Sequence, residues 1–112
     1  MNEESIIQTA LVYWIKRHYP DLLFTIAPNG MKLPISVAAK FKKLGYAKGT
    51  PDLLIFESRG IHNGLMIELK TEKGRITPEQ YDWLGKLNDR GYRAVVCRSV
   101  EEAIIVIKDY LK

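Results

Sequence analysis

The chain is poor in the residues that build zinc sites and covalent-catalysis sites. Its 112 residues include one cysteine, Cys97, and two histidines, His18 and His62. The histidines fall into no zinc-ligand spacing and the lone cysteine adds nothing to them, so zinc hydrolysis fits poorly. One cysteine permits no intramolecular disulfide and suits a reducing compartment, which points to the cytoplasm. Cys97 follows Ala94-Val95-Val96, the setting of a packed core thiol rather than of a nucleophile. No serine has an oriented base near it in sequence. Neither a Walker-type phosphate loop nor the glycine fingerprint of dinucleotide binding is present, so no small-molecule cofactor is expected. No apolar run nears the roughly 20 residues needed to span a bilayer, which removes a membrane partner. The first four residues carry two acids and no base, unlike a secretory signal, so the protein is expected not to be secreted.

Acid is also missing from one segment. Between Pro28 and Pro51 stand five lysines (Lys32, Lys40, Lys42, Lys43 and Lys48) and no aspartate or glutamate. The other 12 basic and 13 acidic residues nearly cancel, so the net charge of +4 resides in this stretch. Such a segment suits an anionic partner, nucleic acid first, although a solvated helix face has the same composition.

What is present reads as one α/β domain, large enough to bury a core without disulfides or a structural metal. A helix is expected over residues 3–18, with Ile7, Ala10, Leu11, Trp14 and His18 in one stripe, widened by Ile6, Tyr13 and Ile15. Glu4 and Gln8 share a face near its start, where an acid also complements the helix dipole. A strand over 22–27 precedes the turn Pro28-Asn29-Gly30. A short basic helix over 36–44 ends at Gly45, and residues 45–51 form a loop with two glycines and a proline. Two strands, 53–56 and 65–70, pair as an antiparallel hairpin. Thr77 to Gln80 has the pattern of a capping box opening a helix that carries Tyr81, Trp83, Leu84 and Leu87 and stops at Gly91. A strand over 92–98 and a helix begun by a second box, Ser99 with Glu102, complete the order α-β-α-β-β-α-β-α. The last helix should bury Ala103, Ile104, Ile107, Tyr110 and Leu111. The last two strands, joined through a helix, should be parallel, giving a mixed sheet with helices on both faces.

Residues 49–70 carry charge where core strands should carry none. Asp52 begins the third-to-last strand and Glu68 and Lys70 end the next. A turn centred at Gly60-Ile61 makes opposed residue numbers sum to about 121, which sets Asp52 opposite the segment 68–70. Glu68 and Lys70, two apart, project from one face. Charges in such places are costly unless paired or metal-bound. Two carboxylates at a sheet end beside a lysine suit a hard divalent cation acting on a phosphodiester. A buried Asp–Lys or Glu–Lys ion pair fits the same three residues.

The order Thr50-Pro51-Asp52, fifteen intervening residues, then Glu68-Leu69-Lys70 resembles the PD-(D/E)xK nuclease motif. Within that superfamily the chain is similar to the virus-type replication-repair nuclease (VRR-NUC) domain along nearly its whole length. Glu4 with Gln8, Pro28-Asn29-Gly30, the loop into Asp52, and Gly74 followed by Gln80 and Trp83 carry the likeness. The resemblance implies a restriction-endonuclease-like core and a structure-specific DNA nuclease. Small viral or phage members resemble Holliday-junction resolvases and act as homodimers. It implies Asp52, Glu68 and the Leu69 backbone carbonyl as ligands of Mg²⁺ or Mn²⁺, and Lys70 positioning or activating water. Glu4 would reach the metal through water or help hold a second ion, and Gln80 would orient Lys70 or a phosphate. Asn29, Lys32, Lys42, Lys43, Lys48, Lys73 and Arg75 are then candidates for DNA contact. A non-catalytic DNA- or replication-partner-binding module on the same fold, and a sequence-specific restriction-type nuclease, remain as alternatives.

Overall fold

A computed structural model describes residues 2–29 and 32–112. Gly30, the last residue of the expected Pro28-Asn29-Gly30 turn, lies outside the described residues. The elements follow the expected order: α1 (Glu3–His18), β1 (Phe24–Ile26), α2 (Ile35–Lys43), β2 (Leu53–Ile55), β3 (Leu65–Leu69), α3 (Pro78–Asp89), β4 (Arg93–Cys97) and α4 (Val100–Tyr110). The strands form one sheet in the order β1-β2-β3-β4, antiparallel twice and then parallel. The strands are shorter than the apolar runs that announced them. Beyond β1 the pairing continues as single bonds, with the Ala27 amide donating to the Asp52 carbonyl at 2.9 Å and the Phe56 amide to that of Leu23 at 2.9 Å.

Strand parity sorts the molecule into two faces. Leu53 and Ile55 of β2 and Leu65, Ile67 and Leu69 of β3 join Leu11 and Ile15 of α1, Cys97, and Ala103, Ile107 and Tyr110 of α4 in one buried cluster. The alternate positions, Asp52, Met66, Glu68 and Lys70, belong to the opposite face, where Gln80 of α3 reaches Glu68. β3 is therefore buried along its whole length. The α1 stripe is narrower than the sequence suggests: Leu11 and Ile15 are fully buried and Ile7 and Trp14 partly so, while Ala10 and His18 are exposed. His18 stacks on Trp14 at a ring separation of 4.7 Å instead of entering the core. Tyr81 of α3 is likewise exposed.

The hairpin has a feature that a simple turn count misses. Its tip pairs Arg59 with His62 around Gly60-Ile61, as the sum of 121 requires. The strands, however, pair Leu53 with Ile67, Leu54 with Met66 and Ile55 with Leu65, a sum of 120. One extra residue on the β2 side separates tip from ladder, so Asp52 falls opposite Glu68 and not opposite Leu69.

Local signals hold the ends in place. Thr77 and Gln80 form the complete capping box of α3. Ser99 caps α4 by accepting from the Glu102 amide at 3.1 Å, and only that half of the expected box forms. Asn2, not anticipated as a cap, accepts from the Ser5 amide at 2.8 Å and starts α1. No helix among the described residues is long and apolar enough to cross a membrane.

The loop into β2 is pressed onto α3. Gly49 has φ +99, and a Cβ there would lie 2.6 Å from the Glu79 backbone. Gly49→Ala is therefore expected to lower stability by about 1–3 kcal/mol through backbone strain and this clash. Urea unfolding would measure the loss, and an unchanged midpoint would mean that the loop does not need the contact.

Candidate active site

The site begins with Asp52. It is 6% exposed, and each of its oxygens has a protein donor. The Leu69 amide donates to Oδ2 at 2.8 Å, and Asn29 Nδ2 donates to Oδ1 at 3.0 Å. The first bond fastens Asp52 to the end of β3; the second ties it to the turn after β1. Asn29 Nδ2 also donates to the Thr50 carbonyl at 2.7 Å. Both amide hydrogens of Asn29 are thus engaged by protein, which leaves none for a phosphate.

Glu68 is 1% exposed. Gln80 Nε2 donates to its Oε2 at 3.2 Å, while its Oε1 is buried and accepts from no protein donor. The Oε1 of Gln80 accepts from the Thr77 amide at 2.9 Å to close the capping box, so its nitrogen is the end turned to Glu68. The box thereby fixes which way the amide faces. In this structure Gln80 holds Glu68.

Lys70 is 7% exposed, on the same face as Glu68 by strand parity. Among the described residues it makes no ion pair with a carboxylate, so the buried Asp–Lys or Glu–Lys bridge is not the arrangement formed. Glu4 arrives from the first turn of α1. With Asn2, Ser5, Gln8, Asn29, Asp52, Glu68 and Gln80 it lines a cavity of about 180 Å³.

Negative charge is crowded here. Burial, then Asp52 by charge and by hydrogen bonding, pushes Glu68 up to about 9, with Glu4 adding to the shift and Lys70 opposing it. A buried carboxyl raised this far, with one oxygen lacking a donor, is the kind of group that a bound cation would stabilise. The donor set fits a hard divalent ion. No three His, Cys, Asp or Glu side chains come together among the described residues, but Mg²⁺ typically takes one or two carboxylates and completes its shell with carbonyls, water and substrate oxygens.

Lys32, Lys40, Lys42, Lys43, Lys48, Lys73 and Arg75 are all exposed and lie on the segments before Asp52 and after Lys70. Lys40, Lys42 and Lys43 occupy the last turn of α2, where they also favour the helix dipole. Two contributors were not foreseen. Arg98 donates through Nη1 to the carbonyls of Thr71 at 2.8 Å, Glu72 at 3.3 Å and Gly74 at 2.6 Å, and so clamps the basic loop that follows Lys70. The hydroxyl of Tyr46 donates to Asn29 Oδ1. An arginine after a strand and a tyrosine in a glycine loop carry no local signature of either task.

Comparison with known proteins bears on the family and the fold. The sequence model of the VRR-NUC domain matches residues 2–101. A solved structure described as a VRR_NUC domain protein superposes with a TM-score of 0.83 at 32% identity, covering 99% of this chain and 89% of its own. Another, described as a VRR_NUC domain, superposes with a TM-score of 0.60 at 22% identity, covering 98% of this chain and 99% of its own, and bears on the fold alone. No curated protein matches.

Glu68 makes the metal-free protein pH-sensitive. The folded state keeps its proton up to about pH 9, whereas the unfolded chain releases it near 4.5. Between those values the folded state binds more protons, so stability falls as pH rises. Glu68→Gln removes the titration at nearly constant shape. Its stability relative to wild type is expected to improve from about pH 5 to about pH 8, reaching on the order of 1–3 kcal/mol. Urea unfolding in chelator at both pH values is the measurement, and a difference independent of pH would contradict the assignment.

Proposed function

The chain belongs to the VRR-NUC domain family, a nuclease family, and on that premise we propose that it is a metal-dependent, structure-specific DNA endonuclease acting on branched DNA such as Holliday junctions. One observation carries the reading: Asp52 and Glu68 are buried side by side at a sheet end, and Glu68 Oε1 faces no protein donor. Asp52, Glu68 and the Leu69 backbone carbonyl would hold Mg²⁺ or Mn²⁺. The ion would neutralise charge on the scissile phosphate and acidify the attacking water.

The chain's own residues divide the remaining work. Gln80 occupies Glu68 Oε2, so that Oε1 is the oxygen left without a protein donor and available to a cation. The Leu69 amide and Asn29 fix the plane of the Asp52 carboxylate. Lys70 positions or activates the water and offsets charge developing at the phosphate. Glu4, at the cavity wall, organises water beside the two carboxylates or helps hold a second ion. Lys32, Lys40, Lys42, Lys43, Lys48, Lys73 and Arg75 contact phosphates on either side of the cut, a form of binding that reads charge and not sequence. A homodimer would set two such sites against the two-fold symmetry of a four-way junction.

The direct test incubates labelled four-way junction, flap and linear duplex with the protein and Mg²⁺. Junction cleavage is expected, with linear duplex left largely intact and Lys70→Ala slower by about 100-fold or more. Binding without cleavage would favour a non-catalytic module, and discrete cuts in linear duplex a restriction-type enzyme. Replacing Lys40, Lys42 and Lys43 together by Gln should flatten the log–log dependence of DNA affinity on salt by roughly 2–3. An unchanged slope would remove the last turn of α2 from the interface.

A further inference from the structure

Tyr46 belongs to the loop that joins the basic helix α2 to β2. Its amide donates to the Phe41 carbonyl at 2.9 Å, which fastens it to the C-terminal end of α2. Four residues on, the Thr50 hydroxyl donates to the Ala47 carbonyl at 2.6 Å, closing the loop on itself. The phenol is thereby held against Asn29, whose Oδ1 accepts from its hydroxyl.

The direction of this bond is forced. Asn29 Nδ2 faces two acceptors, the Thr50 carbonyl and Asp52 Oδ1. With the amide nitrogen committed to them, Asn29 Oδ1 must face Tyr46, and the tyrosine must donate. The result is an ordered relay: Tyr46 hydroxyl to Asn29 oxygen, Asn29 nitrogen to Asp52 Oδ1, with Asp52 Oδ2 closed from the other side by the Leu69 amide. We propose that Tyr46 is a positioning residue for the metal-binding carboxylate, acting through Asn29 to lock the plane of Asp52. The proposal rests on the metal-dependent reading of the site.

The relay requires the neutral phenol, since a phenolate would set a negative oxygen against Asn29 Oδ1. Burial, Asp52 and Glu68 all raise the Tyr46 hydroxyl above its ordinary value, in keeping with that requirement. Without the hydroxyl, Asn29 Oδ1 is left half-buried with no donor. The amide then gains freedom to rotate, and Asp52 loses a fixed partner. Groups that orient a ligand in this way commonly contribute about 10-fold or more to metal affinity.

The test is Mn²⁺ titration by calorimetry, without DNA, on wild type, Tyr46→Phe, Asn29→Ala and the double variant, with circular dichroism to confirm folding. Tyr46→Phe is expected to weaken Mn²⁺ binding by about 10-fold. In the Asn29→Ala background the same change should cost less than about 2-fold, because the hydroxyl acts only through the amide. In cleavage assays Tyr46→Phe should lower kcat and leave KM for DNA unchanged. Unaltered Mn²⁺ affinity in Tyr46→Phe, or an equal loss with Asn29 already removed, would overturn the proposal. Wild type that binds no Mn²⁺ would overturn instead the metal reading on which it stands.

Discussion

The pairing register of β2 against β3 is the constraint from which the site follows. Directly opposed residues of an antiparallel pair share a face, so a shift of one residue exchanges the two faces. At a sum of 121, Leu53 and Ile55 would share a face with Glu68 and Met66, and Asp52 with Leu69. At the observed sum of 120 they meet Ile67 and Leu65, and all four side chains are fully buried. Each such burial is worth about 1.5–3 kcal/mol, so the core rejects the slipped register by several kcal/mol. The extra residue between tip and ladder absorbs the difference. Packing on the α1/α4 face thus brings Asp52 beside Glu68 on the other face, with no favourable contact between the carboxylates required.

That second face carries an electrostatic cost which the surrounding elements are arranged to contain. Two carboxyls share a buried sheet end, with Glu4 on the wall of the same cavity, and burial with the neighbouring charge pushes Glu68 up to about 9. The partners supplied are all donors: the Leu69 amide, Asn29 and Gln80. Asn29 and Gln80 are each fixed by a second bond, to the Thr50 carbonyl and to the Thr77 amide. Gln80 is the clearest case, since a helix-capping interaction of ordinary type also turns its amide nitrogen to Glu68.

Much of this was legible in the sequence for physical reasons that can be named. Capping chemistry located α3, a C′ glycine ended it, and helical period set α1 to its observed bounds. The charges of Asp52, Glu68 and Lys70 stood out because core strands do not tolerate them unpaired. Glu4 and Gln8, placed on one face by their spacing, do line the same cavity. What escaped depends on contacts across long sequence separations. Asn29 reads as a turn residue or a DNA contact until Asp52, 23 residues away, is seen to accept its hydrogen. Nothing beside Arg98 in sequence announces that it binds three carbonyls 24–27 residues earlier. The extra hairpin residue escaped because a turn count finds the tip and cannot see where the core will pull the strands.

The site residues and the basic residues are held to very different degrees, and the chemistry assigned to them explains why. Asp52, Glu68 and Lys70 lie on or beside central strands, nearly inaccessible, in a region where small displacements would be felt by the whole core. Phosphoryl chemistry demands that precision, since misplacement of about 1 Å can cost about 100-fold in rate. The lysines of α2 are carried by a helix that buries no residue. Contacts to phosphate need charge within reach and little else, because the backbone of DNA repeats the same target along its length. An exposed presentation suits contacts of that kind, while the hydrogen bonds through Tyr46 and Asn29 connect the segment to the buried carboxylate of Asp52.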